Sequence, residues 1–318
     1  MKRTDLAILL ATYNGARYLT EQLDSLRAQT YQDFVCYIHD DGSSDGTQEI
    51  IMDYCSKYPQ QFVYLGCSPT GGAKYNFMYL LRQVEANYYM FCDQDDVWLP
   101  EKIEKTYKRM KEEEGGNKHT AICVCSDVTC VDEQLQCIVP SFLKNTGRDY
   151  RRTKLIDLLN RSMTPGCTMM YNSVARHVAM MADVSDIVFI HDWFMSVLTA
   201  ACGKVVCMNE PLMLYRQHSG NAIGFHKKKK LRERHLDIRS WYAHKNSLFH
   251  QKEGYADASI ICLEKYIKEQ QGRRSSSADE KKNLDNCLHN LKILRTFRKQ
   301  LKQPFLLKQL RYYAWRTF

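Results

Sequence analysis

YYMFCDQDDVWLP (residues 88–100) runs an apolar, aromatic segment into three aspartates within four positions, Asp93, Asp95 and Asp96. The apolar part has the length and composition of a buried strand, and it stops where the acids begin. Carboxylates this close repel one another and are costly to remove from water, so something positive is expected among them. An Asp-x-Asp at a loop edge can hold a hard divalent cation through oxygen ligands. Asp95 is the candidate ligand, Asp93 stands beside it, and Asp96 is read either with them or as a cap on the following turn.

The same pattern repeats upstream and downstream. LAILLA (6–11), FVCYIH (34–39), FVYLGC (62–67) and TAICVCSDV (120–128) read as further strands, and the continuous apolar runs are those of strands covered on both faces. Between them lie helical segments. One has apolar residues at 19, 23 and 26; another is QEIIMDYCSKY, capped by Asp45 or Thr47; a third carries Phe77, Leu80, Leu81 and Val84 on one face. LPEKIEKTYKRMKEEE reads as a charged helix with Pro100 near its first turn. Strand–helix–strand repeats of this length predict an α/β fold, a mostly parallel sheet with helices on both faces, whose ligands sit at the carboxyl ends of the strands. Three polar clusters fall at that edge: Thr12-Tyr13-Asn14, Asp40-Asp41 and Asp93-Gln94-Asp95-Asp96. One such cluster is a solvated turn; three on one edge make a site.

Beyond residue 140 the pattern loosens. MTPGCTMMYN (163–172) has a Pro-Gly break before a short apolar run, and IVFIHDWFMSVLTAACG (187–203) puts His191-Asp192-Trp193 at the start of an apolar helix. Asp192 is read there as a helix N-cap or as a general base in a partly dry cleft. VVCMNEPLMLYRQHSGNAIG (205–224) is strand-like and ends in a polar loop holding Arg216 and His218. His218 is a third metal ligand, a phosphate contact or a loop histidine without a role.

The bulk numbers fit this picture. The chain has 318 residues, 44% hydrophobic and 25% charged, an ordinary globular composition. No stretch reaches 18 apolar residues, and the opening apolar run is too short for a span and lacks a cleavage site, so a cytoplasmic location is expected. Thirteen cysteines are scattered through strands and helices; the Cys123–Cys125 pair has no partner pair at zinc-like spacing and reads as small buried residues of one strand face. The net charge of +9 divides unevenly: residues 221–318 hold 23 Lys/Arg against 9 Asp/Glu, whereas residues 1–220 hold 22 against 27. This suggests two regions with different jobs, an acidic front over 1–224 and a basic, mainly helical region over 225–318. Its Lys227–Lys230 run and PFLLKQLRYYAWRTF (304–318) interleave cations with aromatics, as peripheral contact with an anionic membrane surface would require. Nucleic acid is not expected, since no binding motif accompanies the charge and the front half is acidic.

LLATYNGARYLTEQLDSLRAQTYQDFVCYIHDDGSSDGT, FCDQDDVWLPEKI, GCTMMYN, HDWF and YRQHSGN, in this order, resemble the inverting family 2 glycosyltransferases of GT-A fold, and among them the bacterial rhamnosyltransferases of cell-surface polysaccharide synthesis. The resemblance covers about residues 5–224. It implies a nucleotide pocket lined by Ala11, Thr12, Tyr13 and Asn14, with Asp41 on the base and Asp93 facing the ribose. It implies that Asp95, with His218 near the diphosphate or the metal, holds Mg2+ or Mn2+. Asp192 would be the catalytic base; Gly166 and Cys167 would border the donor sugar, with His191 alongside, and Trp193 the acceptor. The donor implied is a nucleoside-diphosphate sugar, dTDP-rhamnose first and a UDP-hexose next, and the acceptor a glycan or lipid-linked sugar at the inner membrane face. Some relatives carry a nucleotide-contacting arginine near the position of Lys74 or Asn76, where this chain has none. Two other functions compete. A sugar-1-phosphate nucleotidyltransferase would show a glycine-rich phosphate loop after the first strand, which ATYNGARYL is not. An inactive nucleotide-sugar or glycan-binding scaffold would be expected to have lost Asp95 or Asp192, and both are present.

Overall fold

The computed structural model describes residues 4–117, 119–219, 238–273 and 277–301. Strands β1 (Thr4–Thr12), β2 (Phe34–Asp40), β3 (Phe62–Cys67) and β4 (Ala86–Cys92) alternate with helices α1 (Ala16–Arg27), α2 (Thr47–Lys57) and α3 (Ala73–Gln83). They pair in parallel in the order β3-β2-β1-β4. After the two-residue β5 (Val97–Trp98) come α4 (Lys102–Glu114), β6 (Ala121–Val131), β7 (Cys137–Val139), the short α5 (Phe142–Thr146) and α6 (Leu155–Asn160), β8 (Met170–Asn172) and α7 (Ser173–Ala179). The long elements α8 (His191–Cys202), β9 (Gly203–Arg216), α9 (Ile238–Gly272) and α10 (Ala278–Leu301) follow. The sheet continues past β4 as β8-β6-β9-β5, with β7 on β6. The three-residue β8 runs antiparallel to both β4 and β6, so β6 and its neighbour β9 keep the direction of the first four strands.

Residue alternation explains why the sheet needs helices on both sides. Leu6, Ile8 and Leu10 of β1 join one core with Leu19, Leu23 and Leu26 of α1, Ile51 of α2, and Ile103 and Met110 of α4. Ala7, Leu9 and Ala11 point the other way, into a core with Phe77, Leu80 and Leu81 of α3 and the inner faces of α8, α9 and α10. Cys123 and Cys125, two residues apart on β6, lie together in that second core, and all thirteen cysteines are free thiols.

Eleven of the twelve residues of α8 are buried, so this helix needs a cover on every side. The hairpin of α9 and α10 supplies much of it. Tyr255 of α9 packs on Trp193 with ring centroids 4.7 Å apart, and Asn290 of α10 donates to the Ala200 and Ala201 carbonyls at 3.4 and 3.0 Å, satisfying acceptors that the helix end leaves open. Gly203 turns α8 directly into β9; a β-carbon there would lie 1.9 Å from the Ala121 carbonyl oxygen, so only glycine lets β9 close on β6. None of the described helices is long and apolar enough to cross a membrane. The boundary expected at 224/225, Lys227–Lys230 and the segment 304–318 all lie outside the described residues.

Candidate active site

The parallel register brings the ends of β1, β2 and β4 to one edge of the sheet. There the three polar clusters meet. Gln94 grips the backbone of Tyr13 twice, its Oε1 accepting from the N–H and its Nε2 donating to the carbonyl, both at 2.8 Å. Asn14 has a left-handed φ of 46°; its N–H donates to Ser43 Oγ at 2.8 Å, and its Oδ1 accepts from the Ser44 N–H at 2.9 Å. The loops after β1, β2 and β4 are thereby stitched into one surface.

The residues expected to line a nucleotide pocket divide by exposure. Ala11 and Thr12 are buried, and the Thr12 hydroxyl donates to Asp40 Oδ2 at 2.7 Å. Tyr13 is 57% exposed, a large aromatic face open to a ligand. Asp41 organises its neighbour loop: Oδ1 accepts from the Thr70 N–H and, at 2.7 Å, the Thr70 hydroxyl, and Oδ2 accepts from the Gly72 N–H at 2.8 Å. That leaves Oδ2 capacity for one more donor. Asn76 is buried and ties His39 to β1, while the Lys74 ammonium is held by the Val188 carbonyl at 2.7 Å. Asp45 lies one residue before the α2 cap, Gly46. It accepts from the N–H and hydroxyl of Thr47 and from the Ala16 N–H, bracing the starts of α2 and α1 together.

The three aspartates of the opening motif separate into three environments. Asp96 is fully buried and caps no turn; its Oδ1 accepts from the Arg216 N–H at 3.0 Å, and its Oδ2 makes no hydrogen bond among the described residues. Asp93 is half-buried, with its acidity weakened by burial and by the charges of Asp95 and Asp192. Asp95 turns to His218, Oδ2 to Nε2 at 2.8 Å. Arg216, itself 1% exposed, donates to the Asp95 carbonyl at 2.8 Å and reaches Glu21 on α1.

A cation facing Asp93 and Asp96 is Lys102, which the sequence placed in a charged helix. Its side chain is fully buried, donates to the Cys167 carbonyl and lies 3.3 Å from the centre of the Trp98 ring. Burial lowers its pKa to about 8, and the Asp96 and Asp93 carboxyls act in the opposite direction. The clue was the motif itself: two inward carboxylates ask for a counter-charge, and Lys102 follows within ten residues.

A divalent cation fits the outward side better than the inward one. Asp93, Asp96 and Cys167 each offer a ligand atom within 4.8 Å of one another. But burial keeps the Cys167 thiol protonated, and a hard cation prefers oxygen donors. Asp95 and His218 offer a carboxylate and an imidazole in mutual contact, a donor set suited to Mn2+ or, through the carboxylate, Mg2+.

Asp192 stands in the first turn of α8, not at its cap, which is Ile190. Its Oδ1 accepts from the Trp193 N–H at 2.5 Å, and burial raises its pKa to about 6. Gly166 lies directly against it: a β-carbon at 166 would stand 2.8 Å from Asp192 Cβ and 3.2 Å from Oδ2. His191 is buried, stacked on Phe77 at 4.3 Å, and burial pushes its pKa down to about 3, so it is neutral. Trp193 is also buried, its indole N–H donating to the Leu158 carbonyl at 2.6 Å. Both rings back the wall that carries Asp192.

The family model for glycosyl transferase family 2 matches residues 7–178. The chain belongs to that family. This glycosyltransferase is 26% identical over 277 residues to the dTDP-rhamnosyl transferase RfbG of Shigella flexneri, a match covering 83% of this chain and 88% of the relative. It is 27% identical over 220 residues to the uncharacterized protein Rv1520 of Mycobacterium tuberculosis, 67% of this chain but 59% of that protein. The solved structure of S. aureus TarS 1–349 in complex with UDP-GlcNAc superposes with a TM-score of 0.53 at 14% identity, over 98% of this chain and 92% of that one. The fold is thus of GT-A type, as the sequence resemblance implied, on the mostly parallel α/β sheet that the strand–helix repeats predicted.

Proposed function

We propose that the protein transfers a sugar, rhamnose first among candidates, from a nucleoside diphosphate to a hydroxyl of a glycan or lipid-linked acceptor, with inversion at the anomeric carbon. The observation that carries this is the half-buried Asp192, raised in pKa and seated against Gly166, beside the sheet edge that bears Asp93 and Asp95. Asp192 takes the proton of the acceptor hydroxyl as that oxygen forms its bond to the anomeric carbon. The nucleoside diphosphate leaves from the opposite face with the electrons of the broken C–O bond. The exposed Tyr13, Asn14 and the backbone of Ala11–Thr12 receive the nucleotide, with Asp41 toward the base and Asp93 toward the ribose. Gly166 and Cys167 border the donor sugar, while His191 and Trp193 shape that wall and the acceptor side from behind. Asp95 and His218 would hold Mg2+ or Mn2+, which when bound would offset charge on the diphosphate. The relative named as a dTDP-rhamnosyl transferase supports dTDP-rhamnose as the first donor to try. The catalytic unit spans 1–224, and the basic 225–318 region meets the inner membrane surface where a lipid-linked acceptor would lie.

A thermal-shift panel of dTDP-rhamnose, UDP-sugars and the free diphosphates, with Mn2+, Mg2+ or EDTA, tests the donor site. A true donor at a hundred times its Kd adds roughly 2.7 kcal/mol of stability. That gain should need the metal and vanish in Asp95→Ala. An unmoved melting point with every nucleotide refutes the reading.

A further inference from the structure

A lysine in the first turn of a helix opposes the helix dipole, and a fully buried lysine is costlier still. Lys102 is both, being the first residue of α4 and wholly enclosed. Helix formation does not account for it; its contacts do. The ammonium donates to the Cys167 carbonyl, lies 3.6 Å from Met213 Sδ and rests on the Trp98 ring. The groups facing it are the Cys167 and Cys92 thiols and the Asp96 and Asp93 carboxyls. Cys167 belongs to the single turn Gly166–Thr168, closed by the Thr168 N–H on the Pro165 carbonyl and the Met169 N–H on the Gly166 carbonyl. Lys102 fastens the middle residue of that turn. The residue before it, Gly166, is the surface on which Asp192 sits.

We propose that Lys102 is a positioning residue for Asp192: it holds the Cys167 carbonyl, and with it the Gly166–Thr168 turn, in the one place that seats the base. The chain of contact runs α4, Lys102, Cys167, Gly166, Asp192, and links the acidic loop after β4 to the start of α8. This rests on Asp192 being the base, and the test lets the two ideas fail separately.

The experiment compares wild type, Lys102→Met and Lys102→Arg in the full chain, by amide hydrogen exchange and by transfer kinetics with dTDP-rhamnose or the UDP-sugar that the thermal panel selects. Met keeps the volume and loses the donor. In Lys102→Met, exchange over residues 163–170 should rise about tenfold or more while the strands of the sheet stay protected. In the same variant kcat should fall about tenfold or more with donor KM within about twofold, the mark of a misplaced group and not of lost binding. Unchanged exchange over 163–170, a rise spread across the whole sheet, or a loosened turn with wild-type kcat would each overturn the proposal. If the Met variant does not fold, Lys102→Arg decides: a loosened 163–170 turn with undiminished kcat refutes the relay, and a protected turn with kcat retained supports it. An Asp192→Asn enzyme that still transfers sugar would sink the base reading and with it the consequence for rate, while the exchange data would still say whether Lys102 holds the turn.

Discussion

Gly166→Ala puts one methyl group between the donor-side turn and Asp192. The backbone at 166 is not in the left-handed region, so alanine meets no conformational penalty and the effect comes from contact alone. The new carbon would stand 2.8 Å from Asp192 Cβ and 3.2 Å from Oδ2. Carbon pairs settle at about 3.5–4.0 Å, so the carboxylate must retreat by about 1 Å. A misplacement of that size in a reacting group costs about a hundredfold, or about 2.7 kcal/mol of barrier. Overpacking adds about 1–3 kcal/mol of lost stability. The assay is initial-rate release of nucleoside diphosphate over a range of donor concentrations, with melting temperature measured on the same preparation. We expect kcat to drop about a hundredfold with donor KM within about twofold. A folded Gly166→Ala enzyme with kcat within about threefold of wild type would show that Asp192 does not act from this seat.

Acid should silence the enzyme while relieving the cost of burying Asp192. Asp192 must be ionised to accept a proton and its pKa is raised to about 6, so log kcat should fall with unit slope below that pH; a flat profile down to pH 5 would remove Asp192 as the base. The stability sign is opposite. A carboxyl raised above its unfolded value of 3.8 contributes stability below that value and loses it as pH rises through about 6. Asp192→Asn should therefore abolish transfer yet melt higher at pH 7, by at most about 3 kcal/mol, since each tenfold weakening of a buried acid costs about 1.4 kcal/mol once it is ionised; a lower melting point would contradict the burial argument. Gln94→Ala removes both bonds to the Tyr13 backbone, and should raise donor KM about five- to tenfold with kcat little changed. An equal fall in kcat would move Gln94 into the chemistry.

The strand–helix rhythm through β6 was legible because fully covered strands announce themselves as unbroken apolar runs, and Leu19, Leu23 and Leu26 at helical spacing are all buried in α1. The acidic edge was legible because loop chemistry at strand ends has no packing reason. What escaped has a physical cause in each case. Met170–Asn172 is too short for any periodicity, yet as β8 it is the antiparallel wedge that joins the two halves of the sheet. Lys102 sits in a segment whose neighbours are solvated charges, so its spacing does not mark it and only the counter-charge that the acidic loop asks for points to it. His191 and Trp193 stand beside Asp192 in sequence, but the turn of α8 swings their rings into the core.

The enclosure of α8 has a consequence for how the protein is born. The family match ends at residue 178, ahead of the helix that carries Asp192. That helix is apolar nearly all round, and the last of the described elements to cover it is Ala278–Leu301. On the ribosome, α8 therefore emerges with an apolar face that stays uncovered until Ala278–Leu301 follows it, and that face is what the nascent chain must shield in the meantime.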